Sequence, residues 1–466
     1  MKITTGSSLK IHQGSAYFQY LAAFTGTLTI ITSGMHYGWP SPSLPKLLDN
    51  STEETALTIT ESEGSWIAVM PLIGGFLGAS IGGITVDILG RKRTIILTTF
   101  PFFAGWIMVA YSKSVIILYI ARFIAGISDG WAFTAVPMYI GEIADPKIRG
   151  LLGSGVSVTW IFGILLINII GSYLSITVTA LISSLLPVLT LATFMWMPES
   201  PYHLLMRNKP KEAQESLQKL RGIQDVDSEL NRLTVAVKKQ TESTGKFLDL
   251  FAVKSNRKAV LIILIVRAAQ QLSGTTAITF YTQIIFKEAG DDISSEIATI
   301  IYFSVQLIMT MVCSSIVDKT GRRPLLITSI SGTGIVLLIE GTYFYLNKSG
   351  VDVTQFSYIP VAALIGFVVL FSLGMQSIPI LMLGELFPAN VKAFALCLAD
   401  IYFAILATIV SKFFQLMKYH FGIYVPFYAF AVCCALGLVC IVLFVPETKG
   451  KTLEEIQMCL RGEKRG

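Results

Sequence analysis

Charge is scarce in this chain. Of its 466 residues only 14% are charged while 53% are hydrophobic, and the mean hydropathy is +0.65. That is too little charge to cover a soluble globule of this size, so the composition excludes an ordinary water-soluble enzyme and points to a bilayer. Cysteine is also sparse. Cys313, Cys397, Cys433, Cys434, Cys440 and Cys459 fall in apolar runs or near the C-terminal end, which excludes an external disulfide framework, and their spacing fits no metal site. No phosphate-cradling Walker sequence is present, which argues against a nucleotide-driven pump, and no cofactor is expected. The first apolar stretch lacks both acidic residues and a small-residue cleavage pattern, and so reads as a membrane span.

A helix needs about 20 apolar residues to cross a membrane. Windows of that length occur at 17–37, 64–86, 94–112, 115–138, 151–173, 176–197, 258–286, 296–317, 325–346, 358–384, 394–417 and 424–445. The expected class is therefore an all-α polytopic membrane protein with twelve transmembrane helices. Lys and Arg fix its orientation: 28 of the 36 fall in the termini and even-numbered loops, which the positive-inside rule assigns to the cytoplasm. The net charge of +6 then reflects orientation in the membrane and gives no support to nucleic-acid binding. Sequons at Asn50 and Asn347 both fall in loops expected outside.

The chain repeats itself. Asp87-Ile88-Leu89-Gly90-Arg91-Lys92-Arg93 returns 231 residues later as Asp318-Lys319-Thr320-Gly321-Arg322-Arg323. Glu142 with Arg149 returns as Glu385 with Lys392, and Pro198-Glu199 as Pro446-Glu447. Three motifs displaced in the same order by about half the chain indicate a duplicated membrane unit, the pattern of a two-half transporter. The expected division is a six-helix half at 1–198, a cytoplasmic helical linker at 199–257, a second half at 258–446 and a tail at 447–466. Within the linker, 211–220 and 228–239 read as charged and amphipathic helices.

Further motifs are Arg122-Phe123-Ile124-Ala125-Gly126, Pro137-Met138-Tyr139-Ile140-Gly141-Glu142-Ile143, Pro198-Glu199-Ser200-Pro201, Gln270-Gln271-Leu272-Ser273-Gly274 and Pro446-Glu447-Thr448-Lys449-Gly450. With these, almost the whole chain resembles the sugar porter family of the major facilitator superfamily. Two segments, Gly38 to Leu47 and Phe280 to Gly290, are similar to its insect trehalose and hexose transporter group. The resemblance implies a cytoplasmic charge network: Arg91, Arg93 and Arg149 with Glu142 and Glu199, and Arg322, Arg323 and Lys392 with Glu385 and Glu447. Such a network is expected to form only when the inner ends of the halves meet, as a latch of the outward-facing state. The alternative is that the cations serve orientation alone.

Gln270 and Gln271 lie mid-span, and an amide suits a hydroxyl-rich solute because it both donates and accepts. Gln306 is similarly placed on the eighth span. Interhelical hydrogen bonding is the competing role for all three. Ser273-Gly274 weakens the seventh span, with Tyr281 as an outer gate by resemblance. The chain departs from the family at Thr276, Ser157, Gln306, Ile380, Phe403, Ala404 and Tyr202, which puts the choice of sugar in question. Arg267 and Asp400, opposite charges at similar depth, are expected to pair, with proton coupling at Asp400 as the rival role.

The acid-free first span favours facilitated transport of glucose, another hexose or trehalose over proton symport. A non-transporting sugar sensor is the alternative from another class. The expected partners are a small sugar and membrane lipid.

Overall fold

The computed structural model describes residues 17–49, 57–242, 246–290, 293–451 and 453–461. The first half comprises α1 (Tyr17–Gly38), α2 (Pro40–Leu48), α3 (Glu61–Leu89), α4 (Arg91–Ala110), α5 (Val115–Ile143), α6 (Arg149–Tyr173) and α7 (Ile176–Phe194). Between the halves lie α8 (Pro201–Met206), α9 (Pro210–Arg221), α10 (Asp227–Glu242) and α11 (Asp249–Ala252). The second half comprises α12 (Lys254–Leu272), α13 (Thr275–Ala289), α14 (Ser295–Thr320), α15 (Arg322–Lys348), α16 (Tyr358–Leu373), α17 (Ile378–Leu386), α18 (Ala389–Phe421) and α19 (Tyr424–Phe444), followed by α20 (Leu453–Arg461). No strand occurs among the described residues.

Among the described residues, eleven helical stretches are long and apolar enough to cross a membrane, with α12–α13 and α16–α17 each counting as one broken span. The twelfth expected span, α1, has 22 residues but carries Thr25, Thr27, Thr29, Thr32 and Ser33 in its middle. It packs against α5, α6 and α7 inside the same bundle. Thr25, Thr27 and Thr32 turn their hydroxyls back onto Leu21 O, Phe24 O and Leu28 O, so these three are satisfied within the helix.

Local chemistry sets the helix ends. Thr60 and Glu63 form a reciprocal capping box at the start of α3: Glu63 Oε2 accepts from Thr60 N at 2.8 Å, and Thr60 Oγ1 from Glu63 N at 3.3 Å. Ser114, Ser175 and Ser294 cap α5, α7 and α14. Helix α9 begins at Pro210 and stops at Gly222, whose left-handed φ of +66° ends the turn.

Small residues bring α3 against α5. A Cβ on Gly78 would collide with the Ile127 carbonyl, and one on Gly130 with the Gly75 carbonyl, so the two backbones touch without intervening side chains. The α8–α10 segment has its own small core of Leu204, Leu205, Ala213 and Val237. It docks on the first half through polar backbone contacts: Arg221 Nη1 donates to Ile143 O at 2.9 Å, and Gln19 Nε2 to Leu220 O at 3.3 Å. Asn50 lies outside the described residues, while Asn347 is exposed in the last turn of α15.

Candidate functional site

Each Gly-Arg turn is closed by a carboxylate of its own half. At the first turn Gly90 takes φ +97°, and its missing side chain leaves room for Glu199, whose Oε1 accepts from Arg91 N and Lys92 N, each at 3.1 Å. Glu199 thereby caps the positive end of α4. At the second turn Gly321 takes φ +105°, and Glu447 accepts from Arg322 N at 3.0 Å and Arg323 N at 3.1 Å at the start of α15. Partial burial pushes the Glu447 carboxyl upward, but the surrounding backbone N–H groups outweigh it and hold the acid below its ordinary value.

The guanidinium groups repeat this symmetry. Arg91 reaches Glu142 Oε1 with Nη2 at 2.8 Å and Nε at 3.0 Å, and Arg322 reaches Glu385 Oε1 through the same two atoms at the same two distances. The second oxygen of each acid accepts from a hydroxyl, Ser200 in one half and Thr448 in the other. Arg91 Nη1 also lies 2.8 Å from His203 Nδ1. Burial, then the charges of Arg91, Arg207, Arg93 and Lys209, depress that imidazole to about 4.

In this arrangement each of these pairs lies within one half. Acid and base stand on neighbouring helix ends of one bundle, so the network closes each half on itself. Arg93 is exposed, Arg149 Nη2 reaches only Ala144 O at 3.4 Å, and Lys392 Nζ lies 3.5 Å from Gly384 O. None of the three makes an ion pair among the described residues. Arg323 Nη2 donates to Val442 O at 2.6 Å.

Contacts between the halves gather at the opposite end. Lys412 Nζ on α18 donates to Ser65 Oγ on α3 at 2.7 Å and sits 3.9 Å from the Trp66 ring centroid. Gln415 donates to Glu61 one turn further on. Deeper in, Tyr37 Oη donates to Thr276 Oγ1 at 3.1 Å, with its ring 4.8 Å from both Trp160 and Phe280. Together these side chains roof the space between the bundles. Away from this roof, Ser157 and Ile380 are exposed, and the Asp400 side chain is 58% exposed.

Beneath the roof the amides have specific partners. Thr276 Oγ1 donates to Gln271 Oε1 at 2.7 Å, which extends the Tyr37 bond into the seventh span. Gln270 is fully occupied: its Oε1 accepts from Arg267 Nη1 at 3.1 Å, and its Nε2 donates to Met375 O at 2.7 Å and Gln376 O at 3.3 Å. The Gln270 amide thus brackets α12 to the break between α16 and α17, the interhelical role that competes with solute contact. Arg267 Nη2 lies 3.3 Å from Asp400 Oδ1, and its guanidinium 5.4 Å from the Phe403 ring. Gln306 Nε2 donates to Gln376 Oε1 at 3.4 Å. Tyr281 is buried and stacks on Phe414 of its own half at 5.2 Å, so the aromatic residues that meet across the halves are Tyr37 and Phe280. Gly274 breaks the seventh span with φ +84°, where a Cβ would run into Phe430.

Sequence reasoning missed Gln376, Tyr37 and Lys412. A lone amide in the hydrophobic run 358–384 was the available signal for Gln376, and a Lys within the last apolar turns of 394–417 the signal for Lys412. Tyr37, an aromatic at a span end, carries none.

A family model described as "Sugar (and other) transporter" matches residues 14–460. Among curated relatives, a facilitated trehalose transporter Tret1 of Culex quinquefasciatus is 35% identical over 451 residues, covering 96% of this chain and 86% of the relative. Its Bombyx mori counterpart is 36% identical over 447 residues, covering 95% and 86%. For Anopheles gambiae the identity is again 35% and the coverage 96% of this chain, which spans only 56% of that relative's length. The fold is that of a solved inward open xylose transporter XylE from E. coli: TM-score 0.78, 23% identity, covering 95% of this chain and 99% of that one. A proton:xylose symporter XylE bound to 6-bromo-6-deoxy-D-glucose superposes with TM-score 0.72 and 25% identity, covering 94% and 99%.

Proposed function

Because the chain belongs to the sugar transporter family of the major facilitator superfamily, we propose that it is a uniporter. Its cargo is glucose, another hexose or trehalose, carried across the plasma membrane by alternating access. The termini and the Gly-Arg turns face the cytoplasm, in keeping with the charge bias. In that orientation the roof of Tyr37, Phe280, Lys412 and Gln415 closes the outer side, and the arrangement described is inward-facing. Sugar occupies the space below Thr276 and is met by Gln271 and Gln306, with Ser157 on the facing wall.

The observation that carries uniport is the first span, which has no Asp or Glu to carry a proton. Arg267, 3.3 Å from Asp400, gives that carboxylate a partner within the protein, which supports a structural role for it. Trehalose enters the reading through the names of the insect relatives, glucose through the family at large. Outer-leaflet glycosylation at Asn347 fits the same topology.

Proteoliposomes decide the matter. Uptake of labelled glucose or trehalose that is unchanged when a pH gradient is imposed or collapsed supports uniport. Uptake that needs the gradient replaces it with symport, and sugar binding without flux replaces it with a sensor.

A further inference from the structure

Hydrogen bonding around the break between α16 and α17 leaves one acceptor without a partner. Thr310 Oγ1 donates its single proton to Gln306 O at 2.8 Å, so it must accept from Gln376 Nε2, 3.1 Å away. That fixes which way the Gln376 amide points. Its Oε1 then faces Ser372 Oγ at 2.9 Å and Gln306 Nε2 at 3.4 Å, and accepts from both. Gln306 is in turn committed to giving Nε2 to Gln376. Its Oε1 is left buried with no hydrogen-bond partner, on a side chain only 6% exposed.

An unpartnered buried carbonyl on a fixed amide is a site waiting for a donor. Elsewhere in this network the amides are spoken for: Gln270 uses both ends on protein groups, and so does Gln376. We propose that Gln376 is a positioning residue which locks Gln306 into presenting an acceptor, and never a donor, to one sugar hydroxyl. This rests on the sugar-transport reading and adds a rule of discrimination to it. The recognised hydroxyl must donate its proton. A deoxy sugar, with no group there, and a fluoro sugar, with an acceptor only, are both refused at that position.

Competition against uptake of whichever sugar is carried, glucose or trehalose, tests the assignment with its deoxy and fluoro derivatives at each ring position. In the unaltered protein one position should lose about tenfold or more in affinity for both derivatives alike. Gln376→Leu frees the Gln306 amide to turn over, so the fluoro derivative should recover most of that loss while the deoxy derivative does not. Gln376→Glu keeps an acceptor for Gln306 and should retain the original pattern, which guards against a variant that merely misfolds. A uniform loss across all positions in Gln376→Leu would overturn the assignment, as would a fluoro derivative tolerated everywhere by the unaltered protein. No uptake of any unmodified sugar would instead sink the transport reading itself.

Discussion

Tyr37 donates a hydrogen bond to Thr276 across the boundary between the two halves, at 3.1 Å and with both side chains buried. Thr276 passes its own proton to Gln271, so one bonded chain links closure of the roof to the amide beneath it. A solute that competes for Gln271 therefore weakens the roof, which is the coupling a transport cycle needs. In Tyr37→Phe the ring stays between Trp160 and Phe280 and only the hydroxyl is lost. Removing such a bond costs about 1 kcal/mol, roughly a fivefold shift toward the outward-open state. Thiol labelling of a cysteine introduced beneath the roof, applied from outside, should rise by that factor.

Lys412→Met should act in the same direction at the rim. It removes both the bond to Ser65 and the contact with the Trp66 face, the latter alone worth about 0.5–1 kcal/mol. The distance between spin labels at the outer ends of α3 and α18 should lengthen in a larger share of molecules. An unchanged distance distribution would count against the clasp.

The paired turns at the basic end predict a different phenotype. Arg91 and Glu142 are 4% and 14% exposed, and their bonds stay inside one half. Deleting one partner of a buried pair costs about 3–5 kcal/mol, so Arg91→Ala should lower the Tm of the purified protein and its yield. Arg322→Ala should do the same in the other half. A latch between the halves would instead leave Tm intact and change only the balance of conformations.

His203 makes stability depend on pH. Its folded pKa of about 4 lies below the ordinary 6.5, so the unfolded chain binds the proton more readily between those values. The contribution is complete above about pH 6.5 and is lost as the pH falls toward 4. Tm measured between pH 7.5 and 4.5 should fall, and His203→Gln should flatten the part of the decline due to this residue.

Much of the architecture was legible because membrane spans announce themselves. The expected window 176–197 became Ile176–Phe194, and 325–346 became Arg322–Lys348, lengthened because helices run past the apolar layer into their charged ends. Arg91 and Glu142 were found through repetition, and a repeated motif says that two halves share a contact without saying whether the contact joins them. The internal partner of Gln270 was legible too. Arg267 stands three residues earlier on the same helical face, a spacing that foretells an internal bond. The break at Gly374 to Ser377 left only Gly374 and the polar pair Gln376-Ser377 as a trace, since the flanking residues are apolar and hydropathy cannot see an interrupted helix.

The seam of small residues between α3 and α5 has a mechanical meaning. With no side chains between the touching backbones at Gly78 and Gly130, the pair has no slack and behaves as one beam. Helix α3 is about 43 Å long at 1.5 Å per residue, with the clasp residues Glu61, Ser65 and Trp66 at one tip and the Gly90 turn at the other. In the alternating-access cycle proposed above, freeing the clasp would swing the far tip by leverage, so that a few bonds at one surface of the membrane command an aperture at the other.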